Sequence, residues 1–324
     1  MTAPTGAPLT TGVDRWRRAL VIANPAASRA GRDLVDEITA ACRPHADELS
    51  VYWTRYAGDA QRATRECAAA GVDLVISVGG DGTIREVAEG ISRSGAARPA
   101  LLPVPAGGGN SVCRGVWGSE DGAGILDAAF DPRRARIRRL DLLHAAELDR
   151  TALLGVSSGL LAEILVAARD ESPDLVGRER YYAAAPRAMA AMSGHPCRVT
   201  VDDVVVFDGR ASVVNVGGGR YRAFALQLLP HSVLDDGLAD VCVLADMSGA
   251  ELAELAPAVA AGTHLGDPRV THARGRRVVV ERTDGEPLVI EYDGEVAEAP
   301  VSTLTLDVLP GALPFVAPTV PVAG

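Results

Sequence analysis

Hydrophobic and polar positions change period repeatedly along the first hundred residues. Short apolar runs at 19–23, 49–53, 73–78 and 101–104 have the length of buried strands, and the stretches between them repeat at helical spacing. Leu34, Val35, Ile38 and Cys42 share one helix face, as do Ala60, Ala63, Cys67 and Ala70 in the next segment. Each stripe needs a surface to bury against, and strands alternating with helices supply one as a parallel sheet covered by helices.

Beyond Leu140 the texture changes. Runs at 152–157, 198–207, 211–216, 238–244, 277–282, 288–292 and 303–309 are β-type with turn residues between them, which predicts a sheet-rich second domain. Helical patterns at 160–168 and 180–192 interrupt it, with Tyr181 and Tyr182 read as packing residues. Ser248 with Glu251 three positions on forms a capping-box signature for a helix reaching Ala261. Asp208-Gly209 and Asp284-Gly285 read as plain turns. The expected organisation is a flexible leader at 1–16, an α/β domain at 17–140, a β-rich domain at 141–310, and a C-terminal tail at 311–324 able to pack back on the first domain.

Composition narrows the function classes. A net charge of −10, from 32 basic against 42 acidic residues, argues against a general nucleic-acid binder, whose phosphate partner selects a basic surface. Five scattered cysteines with no CxxC pair suggest neither a disulfide framework nor a zinc site, and point to a reducing cytoplasm. Residues 1–12 lack the basic-then-apolar layout of a secretory signal. The longest apolar stretch, 153–168, contains Ser157, Ser158 and Glu163 and falls short of the ~20 apolar residues a spanning helix needs, so membrane contact would be peripheral. The arginine-rich run 133–139 could meet anionic headgroups or form a solvated edge. Six histidines show no ligand spacing and receive no chemistry.

Chemistry concentrates at strand ends. Val78 runs into Gly79-Gly80-Asp81-Gly82-Thr83 and then into a helix with Ile84, Val87, Ala88 and Ile91 on one face. Glycines let backbone approach a phosphate, and N–H groups at a helix start point at the anion. Asp81 would repel a polyphosphate unless a divalent cation lay between them, so it implies Mg²⁺; the plain alternative is a tight turn with Asp as helix cap. A second glycine turn, Pro105-Ala106-Gly107-Gly108-Gly109-Asn110-Ser111, follows the next strand, and Asn24-Pro25 ends the first. Loops at the carboxyl ends of neighbouring parallel strands face a shared ligand. The amide of Asn24 could then donate to a phosphate.

Taken in order, Asn24-Pro25, the Gly79–Thr83 turn with Glu86 and Gly90, and the Pro-x-Gly-x-x-Asn of Pro105, Gly107 and Asn110 resemble the diacylglycerol kinase catalytic family, which includes bacterial lipid kinases and sphingosine kinases. The likeness continues through Asn215 with Gly217-Gly218-Gly219, Leu234-Asp235-Asp236-Gly237, and Tyr292-Asp293-Gly294-Glu295. The resemblance implies ATP bound between the α/β domain and a C-terminal β-sandwich, with a lipid hydroxyl such as that of diacylglycerol or a sphingoid base entering the cleft. It assigns nucleotide contacts to Asn24, Pro25, Gly79, Gly80, Asp81, Gly82, Thr83, Glu86, Gly107, Gly108, Gly109, Asn110 and Glu295. Asp81 matches the position tied to ATP and Mg²⁺, and Asp235 and Asp236 match an acidic turn that holds a structural Mg²⁺ in some members. Asp81 and Asp293 compete for the role of general base. A cytoplasmic enzyme is expected, with peripheral membrane contact and a homodimer both open.

Three positions depart from that pattern. Gly108 stands where the family carries Thr, Ser111 where it carries Asp, and in Gly159-Leu160-Leu161-Ala162, where the family often reads Gly-x-Asp-Ala, Leu161 takes the place of Asp. Kinase action on a soluble or secondary-metabolite alcohol, and a non-catalytic nucleotide-binding relative, are therefore the alternatives. NAD kinase shares the glycine-aspartate turn, but its Thr-Pro-Thr-Gly-Ser stretch is absent here.

Overall fold

The computed structural model describes residues 15–95, 98–171, 174–175, 177–223 and 226–320. Most of the expected leader, and residues 321–324 of the expected tail, lie outside these. Strands β1 (Trp16–Ala23), β2 (Ala46–Trp53), β3 (Leu74–Gly79) and β4 (Ala100–Pro105) form a parallel sheet in the order β2-β1-β3-β4. Every residue of β3 and β4 is buried, as in a sheet covered on both faces. Helices α1 (Arg32–Cys42), α2 (Asp59–Ala69), α3 (Asp81–Ser92), α4 (Ser111–Trp117) and α5 (Gly122–Ala129) supply the cover. Gly79 registers with Pro105, so the glycine turns after β3 and β4 leave the sheet side by side.

The second half contains β5 (Ala135–Ala145), β6 (Arg150–Ala152), β7 (Gly155–Gly159), α6 (Leu160–Glu171), α7 (Gly177–Ala191), β8 (His195–Val201) and β9 (Val204–Gly217). After these come β10 (Ala239–Ala245), α8 (Gly249–Ala261), β11 (Val270–Gly275), β12 (Arg277–Arg282), β13 (Ile290–Tyr292), β14 (Glu295–Val296) and β15 (Thr303–Pro318). One apolar core fills the space between its strands, and a second lies where α6, α7 and α8 cover β9 and β10. The capping box at Ser248 and Glu251 is present. All five cysteines are buried and unpaired.

Two local readings fail for identifiable reasons. The hairpin between β8 and β9 turns at Asp202-Asp203, both at positive φ, and β9 runs straight through Asp208-Gly209. The Asp202 carboxylate accepts the backbone N–H groups of Arg276 and Arg277, which anchors the turn there. The chain after Leu309 is not a tail. Pro310 and Gly311 sit at a register shift, a bulge, and β15 continues beyond it to pair with β5 and to set Phe315 against Leu101 of β4. The ribbon of β5 and β15 thus joins the two halves. Within the arginine run, Arg133, Arg134 and Arg138 are paired with Asp131, Asp127 and Asp235, which favours the solvated-edge reading.

Candidate active site

At the carboxyl ends of β1, β3 and β4 lies a cavity of about 780 Å³, bordered by Asn24, Pro25, Gly80, Gly82, Thr83, Glu86, Gly107, Gly108 and Glu295. Its floor is backbone. A Cβ placed on Gly107 would overlap the Cα of Gly80, so the two turns touch main chain to main chain and leave no side chain between them and a ligand. Gly79 works from behind: a Cβ there would lie 2.5 Å from Thr83 Oγ1.

Three of the expected nucleotide contacts also brace the loops around the cavity. Asn24 Nδ2 donates to Thr83 Oγ1 at 3.1 Å and its Oδ1 accepts from Ala26 N–H, tying the first loop to the glycine turn. The Glu86 carboxylate accepts Gly58 N–H and Ala60 N–H at 2.8 and 3.1 Å, capping the start of α2. Asn110, fully buried at φ 52°, accepts from Gly107 N–H and donates to Gly107 O and Glu120, which holds the second turn closed.

A second cavity of about 650 Å³ adjoins the first, sharing Gly82 and Glu295, and contains both Asp81 and Asp293 beside Gly109 and Ser111. The sequence places these acids 212 positions apart; the fold brings them to one hollow. Each oxygen of Asp81 accepts one backbone N–H, from Ser111 and Val112 at 3.0 Å. Asp293 sits at φ 48° and takes three: Leu153 N–H on Oδ2 at 2.7 Å, and Leu154 and Gly155 N–H on Oδ1 at 2.8 and 3.0 Å. Burial pushes both carboxyls above the ordinary range, against the pull of these donors and of Arg114 at Asp81 and Arg222 at Asp293.

Two arginines escape sequence reasoning because they occupy no motif. Arg85, on α3, donates to Glu295 Oε2 at 2.6 Å, reaches Glu89, and lies 5.1 Å from the centre of the Tyr292 ring, so it fastens the first domain to the Asp293 turn. Arg222 is buried against Glu291 and faces Ser157, which donates to Asn215. Within the family stretch, Glu295 therefore borders both cavities while held by an arginine.

A third, apolar pocket of about 210 Å³ lies between α6, α7, α8 and the sheet. Leu161, Tyr181 and Ala223 border both it and the cavity of the two acids. Tyr181 is thus a wall of the site as well as a packing residue.

Asp235 and Asp236 do not reach this cleft. Asp235 is paired with Arg138 at 2.6 Å and Asp236 with Arg274, so guanidinium groups supply the positive charge expected of a metal, and among the described residues no cluster of three acidic, His or Cys ligands forms.

Comparison with known proteins agrees with this architecture. The profile of the diacylglycerol kinase catalytic domain matches residues 18–145, and that of the YegS C-terminal NAD kinase beta sandwich-like domain matches 155–317. The chain belongs to the diacylglycerol kinase family of lipid kinases. It is 27% identical over 290 residues to a diacylglycerol kinase of Bacillus subtilis, covering 86% of this chain and 90% of that one. A Staphylococcus epidermidis diacylglycerol kinase is 26% identical, with 80% of each chain covered. A diacylglycerol kinase structure from Bacillus anthracis superposes with TM-score 0.70 at 19% identity, over 95% of this chain and 99% of that one, which speaks to the fold.

Proposed function

We propose that the chain transfers the terminal phosphoryl group of ATP to the hydroxyl of an amphiphilic, lipid-like alcohol. The observation that carries this reading is a single hollow holding Asp81 and Asp293, open on one side to the glycine-floored cavity and on the other to the apolar pocket. The acceptor oxygen forms the new bond to phosphorus, the bridging bond to ADP breaks, and the hydroxyl proton passes to Asp293. Oδ2 is the atom suited to it, because it accepts one backbone N–H while Oδ1 accepts two.

The donors present fit a magnesium ion. Mg²⁺ is usually held by one or two carboxylates together with phosphate oxygens and water, and Asp81 keeps lone pairs beyond its two backbone bonds while Glu295 stands on the wall shared by both cavities. When bound, the ion would neutralise charge on the phosphates.

The apolar pocket favours a lipid over a fully polar alcohol. Its lining, drawn from Leu160, Leu161, Ile164, Leu228, Leu252 and their neighbours, is a hydrocarbon surface that gains free energy when an apolar chain covers it.

Purified protein given γ-labelled ATP, Mg²⁺ and lipid alcohols should yield labelled product that partitions into organic solvent, and Asp81→Ala and Asp293→Ala should each abolish it. Label that stays wholly in water-soluble product would replace the lipid reading with a polar acceptor. Turnover surviving both substitutions would end the mechanism.

A further inference from the structure

We propose that the acceptor carries a single chain whose first eight or so carbons enter the apolar pocket, and that Ala185 and Met189 on α7 set this length. The inference deepens the kinase reading above and rests on it for the position of the head group.

The volume of the pocket and its length along α7 both point to a chain of about eight to ten carbons. An apolar cavity of about 150 Å³ accommodates one benzene ring, so 210 Å³ holds about eight carbons in the same proportion. Along α7, Tyr181 borders the acid-bearing cavity while Ala185 and Met189 line the pocket one and two turns further in. Eight residues at 1.5 Å rise span about 12 Å. An extended alkyl chain advances about 1.25 Å per carbon for a 1.52 Å bond, so nine or ten carbons reach Met189. The buried side chains of Leu244, Leu252 and Val259 line the same pocket.

The same volume bears on chain number. A volume that admits eight carbons admits one short chain and not two, so a second chain on the same head group would lie outside this pocket. Where the pocket meets the cavity of the two acids, Ala223 stands at φ 44°, a strained value for a residue with a Cβ, and Tyr181 of α7 borders both. Small side chains at Ala185, Ala223 and Ala256 leave the lumen open, which makes their enlargement a direct test.

The experiment measures kcat/KM for 1-monoacylglycerols from four to sixteen carbons, each below its micellar concentration, and compares monooctanoyl with dioctanoyl glycerol. Burial of each methylene is worth about fourfold, so kcat/KM should climb by that factor per carbon to about eight and then level or fall. The second octanoyl chain should add less than tenfold. Ala185→Leu should move the break to about four or five carbons, and Met189→Ala should move it to longer chains. A merely structural role for α7 would lower all rates alike and leave the break in place. A climb continuing to sixteen carbons, or a second chain worth as much as the first, overturns the proposal while leaving the kinase intact. Thermal shift with n-alcohols of the same lengths, read without ATP, separates the two claims. A break at eight carbons that Ala185→Leu shortens, in a protein with no turnover, sinks the kinase reading and keeps the pocket; no chain-length dependence in either assay sinks the pocket.

Discussion

At the scale of single residues, the glycine-floored cavity proposed to hold the nucleotide gives the sharpest prediction. Gly107 and Gly80 differ in tolerance although they face one another. A Cβ on Gly107 overlaps the neighbouring main chain, whereas one on Gly80 would lie 3.3 Å from the Cα of Gly107, a contact relieved by a small shift. Gly107→Ala should therefore destabilise by about 1–3 kcal/mol and weaken ATP binding at least tenfold, with Gly80→Ala much milder, as calorimetry and thermal melts would show. Asp293 makes a pH-dependent claim. In the proposed role of base it must be ionised, and burial raises its pKa above the ordinary 3.8, so kcat should fall as pH drops through a value above that figure. Asp293→Asn should remove this acidic limb and cost about 10²–10⁴ in rate, read from the kcat profile. The aspartates were legible in the sequence because they stand in glycine turns. What their neighbours do was not: Asn24, Glu86 and Asn110 look like ligand contacts in one dimension, and only three-dimensional proximity shows them bracing loops. Arg85 and Arg222 carry no local signal, because their partners lie 210 and 69 positions away.

Elements were read best where one period dominated. The four strands of the first sheet and the helix after Ser248 follow from apolar runs and a capping box. Errors arose where a turn dipeptide competed with a ladder. Asp208-Gly209 is absorbed into β9 because its neighbours on β8 hold the register, and Pro310-Gly311 only bulges β15. The apolar pocket escaped notice since α6, α7, α8 and β9 each contribute to it from separate stretches of chain. One element carries a stability prediction. His195 opens β8 buried beside Gly159, its Nε2 lacks a hydrogen-bond partner among the described residues, and burial with Arg282 nearby pushes its pKa from 6.5 down to about 4. The folded state thus binds this proton less readily than the unfolded chain, so stability is full above about pH 6.5 and erodes as pH falls towards 4. The loss should approach about 3 kcal/mol by that point. Denaturant melts across this window should show the slope in the native protein and lose most of it in His195→Phe.

For the molecule as a whole, the interdomain cleft is the proposed functional unit. The β5–β15 ribbon spans both halves, and Arg85 fastens α3 to the turn that presents Asp293, so the two acids keep one hollow between them. Among the described residues no helix is long and apolar enough to cross a membrane. The most direct measurement is a crystal structure with a non-hydrolysable ATP analogue and Mg²⁺. The account requires the phosphates to lie over Gly80 and Gly107, the ion beside Asp81, and the terminal phosphorus to face Asp293 Oδ2 across the second cavity. A nucleotide bound elsewhere, or a terminal phosphate turned away from Asp293, would contradict it.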